Sequence, residues 1–196
     1  MYRLAITALS LVLTMAAPRA FAIDAAQVPE KKQTTLGLYL LPEEAWDMLQ
    51  ADAEKILFLD VRTRAEASYV GMPTPADALV PFVEHDPFWA WDEKRNAFRL
   101  EPVQEFVDEA LRRLAEKGLD KHDKVFVMCR SGTRSAMAAN RLASAGFTQV
   151  YNLIEGFEGD TGKAGDDKGR RTVNGWKNAG LPWSYELDKA RMYFQH

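Results

Sequence analysis

The chain holds one cysteine, Cys129, within KVFVMCRSGTRS, residues 124–135. A thiolate is a strong nucleophile, and two arginines, Arg130 and Arg134, stand close by in sequence. The apolar run KVFVM precedes the thiol, and SAMAANRLASAG follows with a helical pattern that ends at Gly146. The run is too short for a helix and reads as a buried strand. Cys129 then lies at the carboxyl end of a strand, where open α/β sheets place their ligands. Gly132 lets the chain turn tightly. The amides of Arg130, Ser131, Gly132, Thr133, Arg134 and Ser135, together with the helix start, would face one spot and form a cradle for an anion. Such surroundings favour the thiolate. The competing reading is a buried, inert cysteine with solvated arginines. An apolar slot would not need Gly, Ser, Thr and two Arg around it, so a reactive thiol is the better reading.

The elements that must position this loop are legible on either side of it. A short strand is expected within LGLYL (36–40). A helix is expected from Pro42, whose ring suits a first helical turn and whose following acids suit the helix dipole. KILFLDV (55–61) reads as a second buried strand, RAEASYV (64–70) as a short helix and ALVPF (78–82) as another short apolar run. VQEFVDEALRRLAEKG (103–118) has apolar residues on one helical face and a glycine stop. QVYNLI (149–154) reads as a further strand. Strands alternating with helices imply a mostly parallel sheet covered on both faces. Residues 83–102 read as irregular and aromatic, and 158–175 as a glycine- and charge-rich surface loop. The acids of that loop do not fit a calcium-binding spacing, and His85 and His122 have no ligand partners at metal spacing, so no metal is expected.

The first residues carry a different message. Arg3 precedes the uncharged run LAITALSLVLTMAA (4–17), Pro18 breaks it, and Ala20-Phe21-Ala22 suits cleavage before Ile23. Residues 1–22 are therefore expected to be a signal peptide. The run is too short to span a bilayer, which needs about 20 residues. Residues 23–34 are polar and read as a loose arm, leaving 35–196 as the domain. The full chain carries 25 basic and 28 acidic residues, net −3; losing Arg3 and Arg19 leaves 23 against 28, net −5. A mildly acidic protein is a poor non-specific binder of nucleic acid, and nothing suggests a membrane surface after cleavage. With one cysteine, no intramolecular disulfide can staple the fold.

With these residues in hand, the chain resembles the single-domain rhodanese-like sulfurtransferases. The resemblance runs from about Leu36 to Trp183 and rests on DVR at 60–62, Glu66 in the next short helix, the CRSGTRS loop, and NLIEGF at 152–157. It implies an α/β fold with a central parallel sheet of about five strands and helices on both faces. It also implies that Cys129 takes the outer sulfur of an anionic donor such as thiosulfate, becomes a persulfide, and passes the sulfur to an acceptor: a thiol, cyanide or a protein. No cofactor is implied beyond that covalent persulfide. The loop residues 130–135 would hold the donor, with Arg134 closing the loop and Arg130 drawing in the anion. Asp60, Arg62 and Glu66 would support the site, Arg62 and Glu66 as an ion pair. The Cys129-to-Arg134 spacing matches the shorter loop of the sulfurtransferases. Related phosphatases and arsenate reductases have one residue more, which disfavours that chemistry here.

The sequence departs from the family in places. VGMPTP (70–75) stands where many members carry a glycine-histidine segment. The glycine-to-tryptophan pattern after the last strand is stretched from Gly156 to Trp176 by residues resembling an insertion. HDPFWAWDEKRNAF (85–98) is a second insertion; its Phe88, Trp89 and Trp91 read either as a satellite cluster on the domain or as a rim over the thiol. The leading expectation is an exported enzyme, periplasmic in a Gram-negative source. The alternative is a persulfide carrier, sensor or protein-docking module without turnover.

Overall fold

The computed structural model describes residue 23 and residues 25–194; the expected signal peptide lies outside the described residues. In chain order the elements are β1 (Tyr39–Leu40), α1 (Pro42–Asp52), β2 (Ile56–Asp60), α2 (Arg64–Val70), β3 (Met72–Pro73), β4 (Ala78–Leu79), β5 (Val83–His85), β6 (Trp91–Asp92), β7 (Ala97–Phe98), β8 (Leu100–Pro102), α3 (Phe106–Glu116), β9 (Lys124–Met128), α4 (Thr133–Ser144), β10 (Gln149–Leu153) and β11 (Trp183–Ser184). The central sheet is parallel and five-stranded, in the order β1-β10-β9-β2-β4. This is the α/β arrangement expected from the sequence.

The sheet is buried on both faces, which explains why its middle strands read as unbroken apolar runs. Along β2 and β9 alternate side chains enter two separate cores. Leu57, Leu59, Val125 and Val127 pack with Phe106, Ala110 and Leu114 of α3 and Ala138, Ala139 and Leu142 of α4. Phe58, Phe126 and Met128 face the other way, toward Ala45 and Leu49 of α1, Ala67 of α2, and Trp176. Each fully buried Val, Leu, Phe or Met among them contributes about 1.5–3 kcal/mol relative to exposure. The register pairs Asp60 with Met128, so the end of β2 stands level with the residue that precedes Cys129.

The helices start where local chemistry permits. Pro42 opens α1, and Glu44 reaches back to accept from the Leu41 amide at 2.8 Å. Thr63 caps α2: its hydroxyl accepts from Glu66 N at 3.1 Å while the Glu66 carboxylate accepts from Thr63 N at 3.0 Å. Helix α3 begins at Phe106, later than the apolar spacing suggests, because the Val103 amide donates to Phe82 O and stays with the strand end.

Two expectations need correction. Residues 83–102 are not irregular: β5 pairs with β8 and β6 with β7, both antiparallel, making a stem and a tip. Asp86 builds the joint between them. Its buried carboxylate accepts from the amides of Phe88 and Ala90, at 2.8 and 3.3 Å, and pairs with Arg99. Nor are residues 28–32 of the expected arm loose. Val28 is 2% exposed and Lys32 4%. The Lys32 ammonium sits 2.9 Å from Asp160, and its carbonyl accepts from Asn152 Nδ2 at 3.0 Å. A buried cation paired with Asp160 and a carbonyl bonded to the buried Asn152 anchor a stretch whose composition alone looked unconstrained. Residues 163–170 are exposed, in keeping with a surface loop.

Candidate active site

Cys129 follows directly on β9 and is 1% exposed. Two donors reach its sulfur: the Gly132 amide at 3.2 Å and the Ser135 hydroxyl, in the first turn of α4, at 3.3 Å. The loop between them is strapped from both sides. Val61 N donates to Met128 O at 2.8 Å, Phe157 N to Cys129 O at 2.8 Å, and Glu158 N to Arg130 O at 3.0 Å. Asn152 Nδ2 donates to Gly132 O at 3.1 Å. Arg130, Ser131, Thr133 and Arg134 line the space above the thiol. The loop residues expected to surround the thiol are thus gathered around it.

Glycine is required twice, and for clearance as much as for conformation. Gly132 has φ of +90°, and a Cβ there would lie 2.1 Å from Ile154 O. Gly156, at φ +66°, would put a Cβ 2.5 Å from Ser131 N. The thiol loop and the turn after β10 therefore touch backbone to backbone, with one glycine on each side. This is the local meaning of NLIEGF: Asn152 tethers the loop and Gly156 gives it room.

The supporting residues are paired differently from the expectation. Arg62 does not pair with Glu66. Its guanidinium, fully buried, grips Asp60 two residues earlier, donates from Nη2 to Gly71 O at 2.7 Å, and lies 4.1 Å from the centre of the Phe157 ring. Asp60 itself is wholly buried, so each charge is neutralised where it stands. Glu66 pairs instead with Arg134 of the thiol loop. Burial pushes the Glu66 carboxyl up. The hydrogen bonds and charge of Arg134, with help from the Thr63 amide and Arg62, outweigh burial and hold it at about 2. Burial lowers the Arg134 pKa, but Glu66 first, then the Cys129 and Asp60 charges, raise it above its ordinary value.

The thiol forms part of the lining of an open cavity of about 660 Å³. Its other walls come from both insertions. Trp91, Arg95, Ala97, Phe98 and Leu100 arrive from the 83–102 stem and tip, and Arg171 from the 158–175 loop. Arg130 stands half-exposed at this opening, 3.0 Å from Glu158. Of the aromatic residues weighed from sequence, Trp91 reaches the cavity, whereas Phe88 points into solvent, 91% exposed. Trp89 stacks on His85 at 4.9 Å between ring centres. His85 is therefore no free surface residue: it also lines the cavity and neighbours Glu84. Arg171 and Phe98 were not singled out from sequence. Arg171 is one arginine of GRR in a charge-rich loop, with no local pattern to set it apart. Among the described residues no cluster of three or more His, Cys, Asp or Glu is arranged to hold a metal ion.

A buried sulfur with two donors aimed at it, beneath an arginine-lined opening, can attack an anionic electrophile and stabilise charge on a transferred group. Comparison with known proteins gives the chain a family. The Rhodanese-like domain family matches residues 41–163. An uncharacterized protein of Rickettsia rickettsii is 32% identical over 142 residues, covering 72% of this chain and 93% of its own length. The thiosulfate sulfurtransferase GlpE of Actinobacillus succinogenes is 29% identical over 73% of this chain and 86% of its own. The crystal structure of Rv0390 from M. tuberculosis matches with a TM-score of 0.51 at 30% identity, covering 75% of this chain and 96% of that one. The matched family segment runs from the start of α1 through β10 and includes the thiol loop, so the chain belongs to the rhodanese-like domain family.

Proposed function

We propose that this protein is an exported sulfurtransferase that carries sulfur on Cys129. The thiolate attacks the outer sulfur of a thiosulfate-like donor. A new S–S bond forms to Cys129, the donor's S–S bond breaks, and its electron pair leaves with sulfite. The persulfide then gives its outer sulfur to a nucleophilic acceptor, a thiol, cyanide or a protein thiol, and the Cys129 thiolate returns. The cycle needs no second cysteine, no metal and no bound cofactor.

The observation that carries this reading is the pair of donors on Cys129 Sγ, Gly132 N and Ser135 Oγ, at the base of an arginine-lined cavity. Arg130 and Arg134 supply positive charge toward an incoming anion. Export rests on the leader pattern over residues 1–22, and a periplasmic location on a Gram-negative source. The test is an intact-mass measurement on protein beginning at Ile23 after incubation with thiosulfate. A gain of one sulfur atom, absent in Cys129→Ala, is expected. No gain with thiosulfate or any other sulfane donor would sink the proposal. Turnover with cyanide or a thiol then separates an enzyme from a carrier.

A further inference from the structure

The cavity over Cys129 is larger and more apolar than a small inorganic ion requires. Small-molecule sites commonly measure about 300–1,000 Å³, and this one, at about 660 Å³, has room for an organic molecule. The extra wall is made by Trp91 and Phe98, which face each other across β6 and β7 with ring centres 5.4 Å apart in an edge-to-face arrangement. Each is about half-exposed, Trp91 47% and Phe98 48%. Large aromatic faces left open beside a nucleophile are an unmet apolar surface.

The wall is braced from behind. Trp89 packs edge-to-face on Phe98 at 5.4 Å and stacks on His85. To do so it takes a φ of +55°, a conformation that side chains rarely adopt. The Asp86 turn holds it there: Trp89 N donates to Asp86 O at 2.9 Å, while the Asp86 carboxylate takes the amides on either side. A strained aromatic residue pinned by a buried carboxylate gives the wall a fixed shape. The same cavity is lined by Arg130 and Arg171. Burial first and the Arg130 charge second lower the pKa of Arg171, against the opposing charges of Glu158 and Asp160.

We propose that Trp91 and Phe98 select the donor, so that this site favours an organic sulfane donor, an apolar body bearing an anionic thiosulfonate, over bare thiosulfate. The apolar body lies against Trp91 and Phe98, and the sulfonyl oxygens face Arg130 and Arg171. The Cys129 thiolate bonds to the terminal sulfur, the donor's S–S bond breaks, and the electron pair leaves on the sulfinate. One anionic persulfide and one sulfinate result from one thiolate and one thiosulfonate. The proposal rests on Cys129 carrying sulfur, as argued above.

Benzenethiosulfonate and inorganic thiosulfate are the two probes, compared by kcat/KM for loading Cys129. The ratio between them should fall at least about tenfold in Trp91→Ala/Phe98→Ala, because lost apolar contact discriminates by about that factor or more. Trp91→Phe, which keeps an aromatic face, should recover most of the ratio. A ratio that stays within about twofold of wild type in the double variant overturns the proposal. An independent measurement needs no variant and no sulfur transfer: calorimetric binding of the inert anions benzenesulfonate and methanesulfonate to the wild-type protein. Benzenesulfonate should bind at least about tenfold more tightly, and equal binding overturns the aromatic wall. If neither donor loads Cys129 while benzenesulfonate still binds preferentially, sulfur transfer falls and the wall stands as a selective site for aryl anions.

Discussion

Arg134 meets Glu66 at two points, Nη1 to Oε2 at 2.7 Å and Nη2 to Oε1 at 2.5 Å. The contact joins the first turn of the helix that follows the thiol loop to the first turn of the helix that follows β2. Glu66 thus serves three partners at once: its own helix cap at Thr63, the loop arginine, and the charge of Arg62.

Stability should therefore depend on pH through Glu66. Its carboxyl is held at about 2 against an ordinary value of 4.5. A depressed carboxylate stabilises the folded state above its unfolded value, and that contribution disappears as pH falls through the folded value. The window is thus between 4.5 and about 2. The shift corresponds to on the order of 3 kcal/mol. Glu66→Gln keeps the cap of α2 and removes the charge. Urea unfolding should show wild type weakening across this window and Glu66→Gln starting lower at neutral pH with a flatter acid limb. Parallel acid limbs would remove Glu66 as the cause.

Gly132 and Gly118 separate backbone strain from lack of space. Both have positive φ, +90° and +70°. A Cβ on Gly118 meets nothing within 4 Å, whereas one on Gly132 would lie 2.1 Å from a carbonyl oxygen. Gly118→Ala should cost about 1 kcal/mol, from conformation alone. Gly132→Ala should cost well over about 2 kcal/mol and disorder the thiol loop. Chemical denaturation of the two variants makes the comparison; equal losses would show that the loop has slack beside Ile154.

Arg62 should behave as one half of a buried pair. Its removal leaves Asp60 charged and unaccompanied in a site with no exposure. Arg62→Ala is expected to destabilise by about 3–5 kcal/mol. Replacing both partners, with Asp60→Leu/Arg62→Met, should cost less than Arg62→Ala alone, because no lone charge remains. Thermal melts of the two variants decide it, and the reverse order would refute charge isolation as the cause.

Asp86 should control the rim and leave the sheet intact. Its carboxylate accepts from two amides and pairs with Arg99, all within the 83–102 segment. Asp86→Ala should speed amide hydrogen exchange across residues 86–99 by at least about tenfold. Exchange in β2 and β9 should stay slow. Acceleration throughout the sheet would mean that the segment is part of the main cooperative unit.

What the sequence made legible is what one stretch of chain decides for itself. β2 and β9 stood out because both of their faces are covered, which leaves an unbroken apolar run. The thiol loop was legible because a strand end, a glycine and a helix start lie within a few residues. The partner of Glu66 was not, because Arg134 lies 68 residues on and only the fold brings them together. The β6–β7 tip was hidden for another reason. Its side chains are exposed or nearly so and show no alternation to mark a strand. The docking of residues 28–32 depended on Asn152 and Asp160, far along the chain.

The sheet order carries a consequence for timing. β1, the first strand of the central sheet to be synthesised, pairs with β10, the last, Tyr39 opposite Asn152. Asn152 also bonds to both Lys32 O and Gly132 O. Such distant pairings close late, after the chain between them has been made. A ribosome that has released everything through α4 has delivered the cysteine but not the turn that straps it. The thiol therefore acquires its native neighbours only once residues 152–157 have emerged, among the closing steps of biogenesis.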